Sequence, residues 1–210
     1  MYQPKHFEET DRAAMLGLVD AFPLAAVVVS AEGGLEANHV PLLAVAGAGE
    51  GLILRGHVAR PNPLAALAAA GAPALAIFSA EQHYVSPGWY PSKREHGQVV
   101  PTWNYRVVHA HGRLRAITDA AWLRDLVEAL TRRHERDLAN PWQVGDAPAD
   151  YLERMLRAIV GIELQVDRLE GKSKLSQNRS AADREGVVGA MERLGSDAAA
   201  AMADRIRGGR

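Results

Sequence analysis

No cysteine occurs among the 210 residues, which excludes disulfides, thiolate metal sites and thiol nucleophiles together. Neither sign of charge prevails: 24 Lys and Arg stand against 25 Asp and Glu, a formal net charge of −1. Such a chain has no global attraction to a nucleic-acid backbone or an anionic lipid surface, so any phosphate-binding surface has to be local. Long apolar runs are missing too. The weakly polar stretch Leu64–Ala80 falls short of the roughly 20 residues that span a bilayer and is broken by Gly71 and Pro73. The opening residues, Met1-Tyr2-Gln3-Pro4-Lys5-His6-Phe7, carry no basic stretch followed by an apolar one, so no secretory signal is read and a cytoplasmic protein is expected. Gly-x-Ser-x-Gly, His-Glu-x-x-His and the Walker Gly-x-x-x-x-Gly-Lys sequence are all lacking. Chemistry is left to eight His, carboxylates, hydroxyls, amides or a bound cofactor.

At 22.7 kDa the chain is one large domain or two small ones, long enough to bury on the order of 70% of its unfolded surface and hold a core without staples. Thr10 is placed to cap a helix over Asp11–Ala21, whose apolar stripe is Met15, Leu18 and Val19. Leu24–Ser30, short and rich in Val, reads as a buried strand. Gly-rich turns at Glu32-Gly33-Gly34 and Gly47-Ala48-Gly49-Glu50-Gly51 set off strands at Leu35–Val45 and Leu52–Val58, and the three are expected to form an antiparallel meander. A short helix, Leu64–Ala70, starts after Pro61-Asn62-Pro63, and Ala74–Phe78 is the next strand, with His83–Val85 extending or following it.

Ser86–Pro101 contains three Pro and two Gly and reads as a long ordered loop, a kind of segment that is commonly functional. Trp103–Ile117 is a long strand with a bulge expected at Gly112. Asp119 caps a helix reaching about Arg136, Tyr151–Ala158 is helical, and Gly161–Leu169 is the last strand. Helical stretches follow from Ser180 to the polar Gly208-Gly209-Arg210 end. Six or seven antiparallel strands with one inserted helix suggest a small barrel with helices added at both ends.

The Gly47-x-Gly49-x-Gly51 pattern lies between strands and therefore reads as a hairpin turn, not a dinucleotide fingerprint. His109 and His111 share one face of a strand. A metal there would need a third ligand such as His83 or His96, and the ordinary reading is a polar strand face, so no metal is expected. Gly56-His57-Val58-Ala59-Arg60-Pro61-Asn62-Pro63 carries a strand into a helix and puts Arg60 beside the helix start, where an anion would be stabilised. A surface Arg and an Asn cap describe the same residues equally well. Ser86-Pro87-Gly88-Trp89-Tyr90-Pro91-Ser92-Lys93 combines rigid Pro, flat rings and a cation, which suits a planar phosphorylated ligand; the alternative is an aromatic plug at a barrel end. Val100-Pro101-Thr102-Trp103-Asn104-Tyr105 continues it with a hydroxyl and an amide. From Lys93 to Arg115 there are five Lys or Arg against one acid. A second basic run, Lys172-Ser173-Lys174-Leu175-Ser176-Gln177-Asn178-Arg179, has three cations and no acid; such a run is usually a solvated face, here interleaved with donors that phosphate or carbonyl oxygens could use.

Taken in order, Met1-Tyr2-x-Pro4-x-x-Phe7, His57-Val58-Ala59-Arg60-x-Asn62-Pro63, Tyr84-x-Ser86-Pro87-x-Trp89-Tyr90, Val100-Pro101-Thr102-Trp103-Asn104-Tyr105 and Lys174-Leu175-Ser176-Gln177-Asn178 resemble the PaiB family. That family is described as FMN-binding negative transcriptional regulators linked with protease synthesis and sporulation. The resemblance covers most of the chain; the departures are the Ala-rich helix after Asn62 and the Ala/Arg tail from Asp197. It implies a mainly β fold with added helices, an FMN-binding split β-barrel similar to the pyridoxamine-phosphate oxidases, assembled as a homodimer with ligand sites between subunits. The implied division is a flavin-binding barrel with flanking helices over residues 1–170 and a signature segment with a helical extension over 171–210, packed on the same domain.

The resemblance also implies FMN as cofactor. In that superfamily the strand entering the short helix holds the FMN phosphate, which maps to His57 and Arg60, with Asn62 at the helix start; Asn38 and His39 correspond less securely. Trp89, Lys93, Thr102, Trp103, Asn104, Lys174, Gln177 and Asn178 complete the candidate cofactor-binding set. The expected function is a flavin-binding regulator. Direct DNA contact is not supported by the near-zero net charge or by any clear helix-turn-helix with a basic recognition helix. A flavin-dependent oxidoreductase is the alternative, or a haem-handling protein using His83, His96, His109 or His111, although no haem motif is present. No membrane partner is expected.

Overall fold

The computed structural model describes residues 1–49 and 51–209; Glu50 in the second Gly-rich turn and Arg210 at the polar end lie outside the described residues. In chain order the elements begin with β1 (Glu8–Glu9), α1 (Arg12–Ala21), β2 (Leu24–Ala31), β3 (Gly34–Pro41), β4 (Leu43–Ala46) and β5 (Leu52–Ala59). They continue with α2 (Pro63–Ala69), β6 (Pro73–Val85), α3 (Ser92–Glu95), β7 (Thr102–Ile117) and α4 (Ala120–Glu135). The last are α5 (Ala149–Arg157), β8 (Ile159–Lys174), α6 (Ala181–Leu194) and α7 (Asp197–Gly208). The eight strands follow the order β3-β2-β6-β7-β8-β5-β4, with β1 on β8. Two compact units arise from interleaved stretches. Met1–Leu18, Phe78–His109 and Glu170–Arg210 make the first; Val19–Ile77 and Ala110–Leu169 make the second.

In the second unit, β2 buries Ala25, Val27 and Val29 in strict alternation and pairs with β3 from Leu24↔Pro41 to Ala31↔Gly34. The expected strand Leu35–Val45 is two strands, and the expected meander does not form. β3 lies on β2, whereas β4 lies on β5 and the other edge of β5 pairs with β8 from Leu52↔Val166 to Ala59↔Ile159. The cause sits at the junction. Pro41 has no N–H to continue a ladder, and the buried Leu42 turns its N–H to the Pro23 carbonyl at 2.9 Å, so the chain leaves one partner and joins another. Gly112 on β7 marks a close approach: a Cβ there would overlap the Gln165 carbonyl of β8. Asp119 caps α4 as expected, its Oδ1 accepting the Trp122 N–H at 2.8 Å, and α4 buries Leu123, Leu126 and Leu130.

In the first unit, α1 opens on Asp11, not Thr10: the Asp11 Oδ1 accepts the Ala13 N–H at 2.9 Å, and a carboxylate is a strong acceptor in that position. The loop expected over Ser86–Pro101 contains regular turns. A 3₁₀ turn at Pro87–Trp89 is started by the Ser86 hydroxyl accepting the Gly88 N–H at 3.1 Å. α3 is anchored from α6, where the buried Asp183 carboxylate accepts from the Ser92 N–H at 3.1 Å and the Ser92 hydroxyl at 2.8 Å. α6 and α7 close a core of Val187, Met191, Met202 and Ile206 against Val85, Tyr90 and Leu175. The last strand runs five residues past the expected Leu169, to Lys174, because β1 pairs with its end through Glu8↔Lys172 and Glu9↔Gly171. Among the described residues no helix is long and apolar enough to cross a membrane.

Candidate functional site

The strand-to-helix segment lies wholly in the second unit. His57 on β5 is half-buried with no hydrogen-bond partner on its buried Nδ1, and burial holds its pKa below the ordinary value; the ring is a neutral donor or acceptor, not a cation. Asn62 caps α2, its Oδ1 accepting the Leu64 N–H at 2.8 Å while its Nδ2 donates to the Asn38 Oδ1 at 2.7 Å. Asn38 in turn donates to the Glu36 carboxylate at 3.1 Å. Asn62 is therefore a cap held by a side-chain relay, and the Leu64 N–H is already satisfied. Arg60 is exposed and reaches back to the end of α5: its Nε donates to the Arg157 carbonyl at 2.8 Å and its Nη2 to the Ile159 carbonyl at 3.1 Å. A cation at a helix C-terminus is favourable, so Arg60 joins that carbonyl end while its Nη1 donors remain for an anion.

The other candidates lie in the first unit. Thr102 and Asn104, two apart on β7, share a face. The Lys174 Nζ donates to the Thr102 Oγ1 at 2.5 Å, and the fully buried Asn104 exchanges bonds with the Ser176 hydroxyl at 2.9 and 3.3 Å. The family signature pieces, 72 residues apart in each pair, thus meet. Ser176 itself has φ +63°, a backbone state uncommon for a non-glycine residue. Gln177 is spent on the same turn: its Oε1 accepts the Leu175 N–H at 2.7 Å and its Nε2 donates to the Ser173 carbonyl at 2.5 Å. Asn178 is exposed. Trp103 points opposite to Thr102 and is 53% exposed, meeting Tyr84 edge-on at 6.1 Å; Tyr84 meets Trp89 in the same way at 6.5 Å. Lys93 is exposed on α3.

Around Lys174 stand residues that motif reading passed over. The Nζ of Lys172, on a residue only 8% exposed, donates to the Tyr2 carbonyl at 3.0 Å and sits over the rings of Tyr2 and Tyr105 at 5.7 and 5.3 Å. Lys174 sits over the Phe7 ring at 5.7 Å, and Arg179 over Tyr90 at 4.7 Å. The only signal was the Met-Tyr-x-Pro-x-x-Phe opening, whose two rings turn out to cover two lysines. The solvated face that is usual for such a charge run does not describe Lys172 and Lys174, which β8 carries to a buried and a partly exposed position. Burial chiefly, then repulsion from Lys172 and Arg179, lowers the Lys174 pKa against an opposing pull from Tyr105. A separate cavity of about 290 Å³ in the same unit is lined by Ser79, Gln82, Tyr105, Arg106 and His109 among others.

Residues 1–168 match the family described as "Putative FMN-binding domain". Among curated proteins, the Protease synthase and sporulation protein PAI 2 of Bacillus subtilis is 31% identical, with 90% of this chain and 87% of that protein covered. The chain belongs to the PaiB family of FMN-binding domains. An uncharacterised protein of Emericella nidulans is 34% identical to this PaiB-family chain, covering 82% of it and 81% of the fungal protein. A solved FAD- and haem-binding protein of Mycobacterium smegmatis shares the fold at a TM-score of 0.59 and 22% identity, over 80% of this chain and 73% of its own. The fold is thus the mainly antiparallel split barrel of flavin-binding proteins, and FMN is the cofactor of this family.

Proposed function

We propose that this PaiB-family chain is a flavin-responsive regulator that binds FMN, works as a homodimer and exerts its effect without gripping DNA. The observation that carries the reading is the inward turn of the second basic run. Lys172 is buried, Lys174 is held by Thr102 and Phe7, and Arg179 lies on Tyr90. Sequence-independent DNA binding needs Lys and Arg laid along phosphates, and these cations are engaged within the first unit of a chain that belongs to an FMN-binding family. The FMN phosphate is assigned to Arg60, with the neutral His57 beside it in sequence. Charge on that phosphate adds about 1.5–3 kcal/mol per charge-assisted bond, so FMN should bind at least about tenfold more tightly than riboflavin.

The first test is absorbance of the purified protein: flavin bands support the reading, and a Soret band in their place decides for haem. Titration then compares FMN with riboflavin in wild type and in Arg60→Ala, where the difference should shrink. Equal wild-type affinity for the two ligands overturns the phosphate assignment. Retardation of a defined duplex that Lys174→Ala abolishes, with FMN affinity intact, overturns the absence of DNA contact.

A further inference from the structure

Lys172 and Lys174 are two residues apart on β8, so the pleat sets both ammonium groups on one face. Their neighbours are a backbone carbonyl, a hydroxyl and three aromatic rings: Tyr2 oxygen and the Tyr2 and Tyr105 rings for Lys172, Thr102 and Phe7 for Lys174. Rings and a carbonyl offset part of the desolvation of an ammonium but bring no negative charge. Among the described residues neither lysine has a carboxylate partner. Arg179 adds a third cation whose field reaches Lys174, and the nearby Asp183, which acts on Tyr90, is taken up by two bonds from Ser92. Buried charges in proteins are ordinarily paired or bound to an ion, and the buried Lys172 has no counter-charge among the described residues.

We propose that Lys172, Lys174 and Thr102 form a second oxyanion site, built for the phosphate-class dianion of a small molecule other than the flavin. Two uncompensated ammonium groups match two negative charges. The Thr102 hydroxyl accepts from Lys174 and keeps its own O–H to donate to the anion. Access is from the side of Lys174 and Thr102, both partly exposed, while Lys172 is buried with its Nζ bonded to the Tyr2 carbonyl. The ligand is then a phosphorylated metabolite that the flavin protein senses or acts on. This inference rests on the reading above only in leaving the flavin phosphate to Arg60.

The test is calorimetric titration of flavin-free Arg60→Ala protein with inorganic phosphate in a low-salt buffer, which removes the competing flavin-phosphate position. One phosphate per chain is expected, with Lys172→Met and Lys174→Met each weakening it at least tenfold and Lys172→Arg retaining it. Lys174→Met, at the partly exposed position, keeps the test valid if Lys172→Met fails to fold. FMN is titrated separately into the lysine variants with Arg60 intact, and less than a threefold change supports two distinct sites. Parallel loss of FMN and phosphate makes this the flavin-phosphate site and overturns the proposal. So does phosphate binding that is absent in Arg60→Ala protein or indifferent to both lysines. Phosphate binding by a chain that takes no FMN removes the flavin reading and leaves this one standing.

Discussion

Single side chains set two separate pH windows. Burial keeps the His57 pKa below 6.5 in the folded chain. Unfolding restores the ordinary value, so as pH falls through it the unfolded state takes up a proton that the folded state refuses. Stability contributed by the neutral ring is complete above that value, declines below it and levels off beneath the folded-state pKa. Urea midpoints at about pH 7.5 and about pH 5.5 should therefore fall further for wild type than for His57→Gln; an equal fall in both rejects the assignment. Glu81 behaves in a lower window. Burial raises its pKa, but its own backbone N–H, Arg205 and Arg106 together outweigh that and leave it lowered from 4.5, so its contribution persists down to that region and is lost only in stronger acid. It pairs with Arg106 at 3.1 Å, both side chains 9% exposed, and with Arg205 at 2.7 Å. Glu81→Gln leaves Arg106 buried without its counter-charge and should cost about 3–5 kcal/mol in denaturant titration. Glu81→Met with Arg106→Met should recover most of that loss, since neither buried charge is left alone.

Among elements, β8 is the one whose neighbours come closest. A Cβ at Gly161 would enter the Trp122 ring of α4, and one at Gly112 would enter the β8 backbone at Gln165. Gly161→Ala should destabilise by about 1–3 kcal/mol, with Trp122→Leu restoring part of it; Gly112→Ala should cost at least as much and find no side-chain rescue, because the obstacle is main chain. Thermal unfolding of the single and double variants checks both. These contacts also explain what could be read from residues alone. Asp119 and Asn62 were legible as caps, and Leu24–Ser30 as a strand, because each signal is local. The far end of β8 was not: the residues read as a strand ending at Leu169, and pairing with Glu8 and Glu9 carries it on through Gly171 and Lys172. The same holds for the site. Its motifs were legible as motifs, yet nothing near Thr102 names Lys174 as its partner, nothing near Asn104 names Ser176, and the covering of Lys172 by Tyr2 depends on pairing across most of the chain. Arg60 was legible as a cation beside a helix start; its bonds to the carbonyl end of α5 were not, since α5 lies about a hundred residues later.

For the whole molecule, the homodimer proposal turns on large exposed side chains in the first unit: Trp103 at 53%, Val100 at 64% and Tyr84 at 40%. Rings of this kind concentrate in protein contacts, and light scattering at micromolar concentration should give twice 22.7 kDa. Trp103→Glu should shift it toward the single-chain mass, and a single-chain mass for wild type would reject the dimer. The pairing of β1 with β8 has a further consequence, in time. Met1 donates to Glu170 at 3.0 Å and Gln3 to the Gly171 carbonyl at 2.6 Å, so during synthesis these residues wait for partners that lie 169 and 168 positions later in the chain. At about 5–20 residues per second that wait lasts roughly ten to thirty seconds, during which Tyr2 and Phe7 are exposed to chaperones and proteases in the nascent chain.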